Sequence, residues 1–280
     1  MKISCVICNY NDEKFIKQAI LGITQQTYEN IQIIIVDDGS TDNSCDIISD
    51  CASRDNRIRF ISHKANRGFC KVFPEAISLV DGELLTGSGS DDFFSDKNFF
   101  KKCVEAQQDI PSAGCYANTE RIDIKTDLVI GHNGFGVKEG LITAPEFIRG
   151  FFDHEYFVPG FSAMWRKSFI DAVGGYPMDL GPQNDYFINH ALPSIAGVHY
   201  FDEFVAVTRI KSDSMSMGAS VHDKIIRHAT FEKRLINLTN FKDKELVADW
   251  REQLIYDLCD AKEEIIPENR QLYLETLKKE

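Results

Sequence analysis

Asp91 and Asp92 stand side by side at the end of an apolar segment, behind Gly87, Ser88, Gly89 and Ser90. Two adjacent carboxylates repel unless one turns away or a cation lies between them. At a strand end facing a ligand crevice, such a pair suits Mg2+ or Mn2+, hard ions that take oxygen ligands and often share them with substrate phosphates. The small residues in front let a bulky ligand approach the backbone. A solvated turn that caps a helix starting near Asp96 accounts for the same residues equally well. A second acidic pair, Asp37-Asp38, opens the stretch VDDGSTDNS.

These residues need elements to hold them. Ile3–Cys8 and Ile31–Val36 are near-continuous apolar runs of strand length, followed by shorter ones at 58–61, 83–86 and 113–117. Helical spacing runs between them, with Asn11 or Asp12 expected to cap the first helix, Asp42 the second, and Gly68 opening the third. Pro74 in that third helix is tolerable only near its first turn. Alternating strand and helix implies a doubly wound α/β fold on a parallel sheet, with ligands at the carboxyl ends of the strands. Three polar clusters fall there: Asn9-Tyr10-Asn11, Asp37-Asp38 and Asp91-Asp92. Further on, Thr143 to Glu146 reads as a capping box, residues 160–168 as a strand entering a helix, Asp185 as the start of another helix and 205–210 as a strand. The pattern turns helical from about His222, which sets a boundary near 220.

Several chemistries are excluded. VDDGSTDNS has a misplaced glycine and Ile48 where a calcium loop needs its closing Glu. No G-x-G-x-x-G, Walker sequence or G-x-S-x-G elbow occurs. The net charge of −12 over 280 residues argues against nucleic acid as a partner. No apolar run reaches the roughly 20 residues of a membrane span. The start carries no secretory pattern, so the expectation is a cytoplasmic chain with reduced, packed thiols among its eight cysteines. Cys5 and Cys8 form C-x-x-C inside the first strand, where packing rather than redox or zinc chemistry is expected.

The stretch ICNYNDEKFIKQAILGITQQTYENIQIIIVDDGSTDNS, with NRGF (66–69), DGELLTGSGSDDFF (81–94), SAMWRKSFIDAVGGY (162–176) and NDYFINHAL (184–192), resembles the family 2 inverting glycosyltransferases over residues 1–210. The resemblance implies a GT-A fold: a Rossmann-like, mostly parallel sheet flanked by helices. A glycosyltransferase domain would span 1–220, with a nucleotide-binding half (1–117) and an acceptor half (118–220), and a helical extension would follow at 221–280. It also implies a nucleotide-sugar donor such as a UDP-sugar, a divalent Mn2+ or Mg2+ ion, and a glycan or lipid-linked saccharide acceptor in surface polysaccharide or lipid-linked oligosaccharide synthesis. Carried over by position, Tyr10 stacks on the base, Cys8 lines the same pocket, Asp38 hydrogen-bonds the base and Asp37 supports that loop. Lys71 is a further nucleotide contact and Asp91 the metal ligand; where the first acid is missing, Ser90 or water would cover the ribose.

Two departures stand out. Gly89 occupies the place of the first acid of D-x-D-D, which puts metal affinity in question. Asn184-Asp185 stands where relatives carry Glu-Asp, which leaves Asp185 as general base. Arg209 and Lys211 stand near the family's Arg-x-His, and either cation would reach the diphosphate under a lid at Met215, Ser216 and Gly218. GHNGFG (131–136), with Phe151, Phe152, His154 and Tyr156, would form acceptor-side loops. The C-terminal helices suggest packing, self-association or a peripheral membrane contact. Two rival readings are a nucleotide-sugar binder that has lost catalysis, motivated by Gly89, and a nucleotidyltransferase, which would need a Gly-rich basic loop after the first strand.

Overall fold

The computed structural model describes residues 1–210, 220–258 and 267–278. Its first half alternates β1 (Ile3–Asn9), α1 (Ile16–Thr24), β2 (Ile31–Asp37), α2 (Ser44–Arg54), β3 (Ile58–Ser62), α3 (Phe69–Ser78) and β4 (Leu84–Gly89). There follow β5 (Phe93–Phe94), α4 (Phe99–Asp109), β6 (Gly114–Asp123), β7 (Val129–Asn133), β8 (Gly140–Ile142), α5 (Ala144–Phe152), β9 (Ala163–Arg166) and α6 (Lys167–Ala172). A 3-10 turn (Met178–Gln183) leads into α7 (Asn184–Ala196), and β10 (Val198–Ile210) completes the sheet. Three helices close the chain: α8 (Val221–Thr239), α9 (Lys244–Leu258) and α10 (Pro267–Lys278).

The described strands form one sheet in the order β3-β2-β1-β4-β9-β6-β10-β5, with β7 on β6 and β8 on β10. The first four strands are parallel, because each is reached by a helical crossover. The apolar runs of β1 and β2 are buried on both faces. Ile3, Ile7 and Ile33 meet α1 and α4 on one side; Val6 and Ile34 belong to the core with α3, α5 and α7 on the other. The short strands β5, β7, β8 and β9 run antiparallel to their partners, so the second half is mixed where simple alternation suggested parallel pairing.

The capping box at Thr143 and Glu146 is present. The cap expected at Asn11 or Asp12 is not: α1 starts at Ile16 without a side-chain cap. Asn11 Oδ1 instead accepts the Thr41 amide at 2.8 Å, and Asp12 accepts the Ser90 hydroxyl, so both side chains tie neighbouring loops. Pro74 lies past the first turn of α3, on its exposed side, where the unbonded carbonyl of the preceding turn can meet water.

Helices α8 and α9 share the main core, while Tyr273 of α10 packs in a separate small cluster with Ile225, Ala229 and Ile255. Phe231 of α8 and Trp250 of α9 pack on Phe151 at ring distances of 5.9 and 5.6 Å, and Phe152 meets Trp250 edge-on. Among the described residues no helix is long and apolar enough to cross a membrane.

Candidate active site

The parallel ladders decide what meets at the carboxyl edge. β1 against β2 sets Asn9 beside Asp37, and β1 against β4 sets Cys8 beside Gly89. All three polar clusters therefore emerge at adjoining strand ends. Asp37 is buried and builds its loop: Oδ2 accepts from Asn9 Nδ2 at 2.7 Å, and Oδ1 accepts from the Ser40 amide at 2.9 Å and the Cys45 thiol at 3.2 Å. Asp38 accepts the amides of Arg67 and Gly68, each at 2.8 Å, and so pins the start of α3, whose first turn carries the exposed Lys71. An ionised carboxylate has about four lone-pair sites, so Asp38 keeps capacity for a ligand. Tyr10, just past β1, is 45% exposed, an aromatic face open to stacking. Cys8 is partly buried; burial, aided by the nearby Asp38 charge, pushes its thiol up to about 12, so it stays protonated. The seven cysteines within the described residues are free, and Cys259 lies outside those residues.

The second of the paired acids is anchored through one of its oxygens. Asp92 Oδ1 accepts the Arg209 amide at 2.8 Å. The Arg209 guanidinium donates to the Asp91 carbonyl and, at 2.6 Å, to Gln18 Oε1. It lies 4.7 and 5.0 Å from the ring centroids of Phe15 and Phe93 and is only 9% exposed. The resemblance sets either Arg209 or Lys211 by a diphosphate; the structure seats Arg209 as a strut behind the acidic turn. Ser90 is buried with its hydroxyl on Asp12, a contact between loops that no spacing rule in the sequence signals. Lys211 and the lid expected at 215–218 lie outside the described residues.

A Cβ at Gly89 would sit 2.8 Å from Asp91 Oδ1 and 3.5 Å from Asp92 Oδ2. Position 89 thus looks directly at both carboxylates, and with glycine there no third acid joins them. Among the described residues no three of His, Cys, Asp and Glu converge as a metal site. This donor set fits a hard divalent ion shared between Asp91 and phosphate oxygens of a substrate, and does not fit an ion held by the protein alone.

Asp185 sits in the first turn of α7. Burial raises its carboxyl to about 6, against the opposing pull of the Tyr186 amide, which donates to Oδ1 at 2.8 Å. A Cβ at Gly160 would lie 2.8 Å from Asp185 Oδ2, so the loop backbone passes directly beside that oxygen. The next residue, Phe161, packs on Phe94 at 4.5 Å, directly after the acidic turn. The loop before β9 therefore adjoins Asp185 on one side and the Asp91 turn on the other. It also lies at the carboxyl edge, because Ser162 Oγ donates to the Ala117 carbonyl of β6 and Thr86 Oγ1 of β4 donates to the Ala163 carbonyl. Sequence spacing cannot reveal this bridge, which links the turn at Asp91 to Asp185, 94 positions further on.

The proposed acceptor loops divide. Phe151, Phe152 and Tyr156 are core residues, contrary to the expectation, because α5 turns its aromatic face onto α9. His154 holds a turn with φ of 60°. Phe135 alone among these aromatics is well exposed.

Further along α7, His190 is buried among aromatic rings, donating from Nδ1 to the Tyr186 carbonyl at 2.8 Å. Burial lowers it to about 4, and lowers His228 of α8 to about 4 as well. Both ionise more readily in the unfolded chain, so stability is lost as pH falls from about 6.5 toward 4, by about 1.4 kcal/mol per pH unit for each. Asp185, with its raised folded value, acts in the opposite sense over part of that window. Urea midpoints measured from pH 7 to pH 5 should therefore fall, more steeply in Asp185→Asn and less steeply in His228→Gln.

The family model described as "Glycosyl transferase family 2" matches residues 4–173. The chain is similar to Glycosyltransferase GlyG of Streptococcus pneumoniae serotype 4, 33% identical over 140 residues, which are 49% of this chain and 46% of that protein. It spans less than half the length of the curated relatives it matches. Among solved structures, S. aureus TarS 1-349 in complex with UDP-GlcNAc matches with a TM-score of 0.72 at 16% identity, covering 99% of this chain and 80% of that one. Mannosyltransferase PcManGT from Pyrobaculum calidifontis, in complex with GDP-Man and Mn2+, matches at 0.56 and 14%, covering 98% and 73%. At such identities the likeness is one of fold, a GT-A-like mixed sheet flanked by helices with helical segments at the C-terminus.

Proposed function

The chain belongs to glycosyl transferase family 2, and on that footing we propose that it moves a sugar, with inversion, from a nucleotide-sugar to an acceptor hydroxyl. The donor is a UDP-sugar, and the product belongs to a bacterial surface polysaccharide or lipid-linked oligosaccharide. What supports this reading is the Gly160–Phe161 loop, which adjoins Asp185 at Gly160 and packs at Phe161 on Phe94, two residues past Asp92.

Tyr10 stacks on the base, with Cys8 lining its pocket and Asp38 accepting from it across a loop that Asp37 supports. Lys71 faces the nucleotide, while Ser90, buried on Asp12, shapes the acidic turn from behind. Asp91 holds Mn2+ or Mg2+ together with the diphosphate; when bound, the ion neutralises the charge that gathers on the leaving group. Asp185 accepts the acceptor hydroxyl's proton as that oxygen bonds to the anomeric carbon. The bond from the anomeric carbon to the nucleoside diphosphate breaks, and its electron pair leaves with the phosphate oxygen. No covalent sugar–enzyme intermediate is needed.

Calorimetric titration of UDP with and without Mn2+ tests the donor side. Wild type should bind UDP at least about tenfold tighter with Mn2+, a gain of about 1.4 kcal/mol. Asp91→Ala should abolish that gain and keep the metal-free affinity. Equal binding with and without metal would remove the metal from the reading, and tighter binding of a different nucleotide would replace the donor.

A further inference from the structure

β10 carries a bulge: Phe201 pairs with Ala117 and Phe204 with Asn118, so Asp202 and Glu203 are extra residues on that strand. Bulges beside active sites re-aim side chains, and this one presents an exposed carboxylate. Asp202 Oδ1 accepts from the Tyr200 hydroxyl at 2.9 Å and from Asn118 Nδ2 at 3.0 Å. The same hydroxyl lies 3.0 Å from Asn118 Oδ1, and both Tyr200 and Asn118 are buried. Two buried polar side chains are thus committed to orienting one surface carboxylate. Its second oxygen, Oδ2, has no hydrogen-bond or ionic partner among the described residues. The arrangement satisfies two buried polar groups and, in doing so, fixes a surface carboxylate with one oxygen left open.

An aromatic residue adjoins this unit through Gly136, whose backbone lies against the Tyr200 ring and bonds its hydroxyl. Phe135 is 46% exposed. Its backbone is bridged in both directions to Phe157 at 3.2 Å, and its carbonyl accepts the Tyr116 hydroxyl at 3.1 Å. The glycines on either side sit against solid neighbours: a Cβ at Gly136 would meet the Tyr200 ring at 2.8 Å, and one at Gly134 would meet Pro159 at 3.1 Å. Phe135 is therefore held in place, with one face stacked on Phe157 at 5.9 Å. Phe157 in turn lies 6.3 Å from Tyr186, the residue whose amide holds Asp185. Pro159 directly precedes Gly160, the glycine that faces Asp185.

We propose that Phe135 and Asp202 form a saccharide subsite for the acceptor, taking the sugar ring next to the one that carries the attacking hydroxyl. The chemistry matches a pyranose ring on two counts. The C–H face of the sugar is apolar with weakly positive hydrogens, which suits the negative face of an aromatic ring. Vicinal hydroxyls donate to a carboxylate whose geometry is already set, and such charge-assisted bonds are the stronger ones. The subsite rests on the transferase reading for the role of Asp185, but its binding can be scored separately.

The test uses the whole chain and saturation-transfer NMR, with and without UDP, on methyl glucopyranoside, methyl galactopyranoside, maltose, cellobiose, lactose and chitobiose. Binding of at least one disaccharide, with saturation on the C–H protons of one ring, is the expected result. Phe135→Ala and Asp202→Asn should each weaken it by about tenfold, and Phe135→Trp should restore it. Asn at 202 still accepts the Tyr200 and Asn118 bonds, so that variant keeps the scaffold. UDP affinity should stay within about twofold in all three variants. The subsite is overturned if no saccharide in this set binds wild type, or if binding survives both weakening substitutions. Failure of UDP to bind, with saccharide binding intact, would overturn the donor reading and leave the subsite standing.

Discussion

Asp185→Asn should lower transfer by about 10²–10⁴-fold, the usual weight of a positioned general base. UDP affinity should hardly change, because Asp185 lies across the Gly160 loop from the strand-end acids. In wild type the rate should climb as pH rises through about 6, the value to which burial lifts this carboxyl, and level off once it is ionised. The variant should lose that rise together with its rate. Stability should move the other way. A carboxyl whose folded pKa is raised stabilises the protein only below its unfolded value, and that support is lost as pH rises through about 6. At pH 7.5 the variant carries no buried charge, and Asn can keep the bond from the Tyr186 amide. It should therefore be more stable than wild type by on the order of 1–2 kcal/mol. Coupled assays of nucleotide release, calorimetry and urea unfolding measure the three effects. A variant that keeps its rate would remove Asp185 from the chemistry.

Arg251→Ala should cost about 3–5 kcal/mol of stability, the range for breaking a buried ion pair from one side. Glu232 is 1% exposed and accepts from Arg251 at 2.9 and 2.5 Å and from the Tyr273 hydroxyl at 3.0 Å. Removing Arg251 strands a carboxylate at the meeting of α8, α9 and α10. Urea unfolding should show the loss, and replacing both partners with Glu232→Gln and Arg251→Met should recover most of it. Gln still accepts the Tyr273 hydroxyl, and no charge is left without a counter-ion. If the single variant costs under about 1 kcal/mol, the pair behaves as a surface one.

The parallel core was legible because its strands are buried on both faces and read as unbroken apolar runs: β1 and β2 lie within one residue of the expected bounds. The edge strands were not. β5 has two residues and β8 three, too short for any period to register. β7 pairs with β6 across a hairpin, and its first two residues, Val129 and Ile130, are both exposed, apolar side chains that resemble core in a sequence. At the candidate site, the strand-end acids could be placed from topology alone, since parallel strands deliver their ends to one edge. What topology cannot give is the direction of each side chain. Arg209 looks like a cation awaiting a phosphate until its two flanking rings are seen. Asp202 looks like one more surface acid until its two buried partners are counted. Asp12 looks like a helix cap until Ser90 is found on it.

The aromatic seam between α7 and the last helices bears on how such a chain can be remodelled. Tyr186 meets Phe231 at 4.9 Å, and Phe231 also touches His190 and Trp250. The residue beside Asp185 therefore rests on a side chain that arrives only after position 220. A protein cut there would expose the underside of α7 as a greasy scar and slacken the helix turn that aims Asp185. The tail is accordingly no interchangeable cassette. Grafting the terminal helices of a relative onto this sheet should preserve function only if the graft also brings the rings that abut Phe151 and Tyr186.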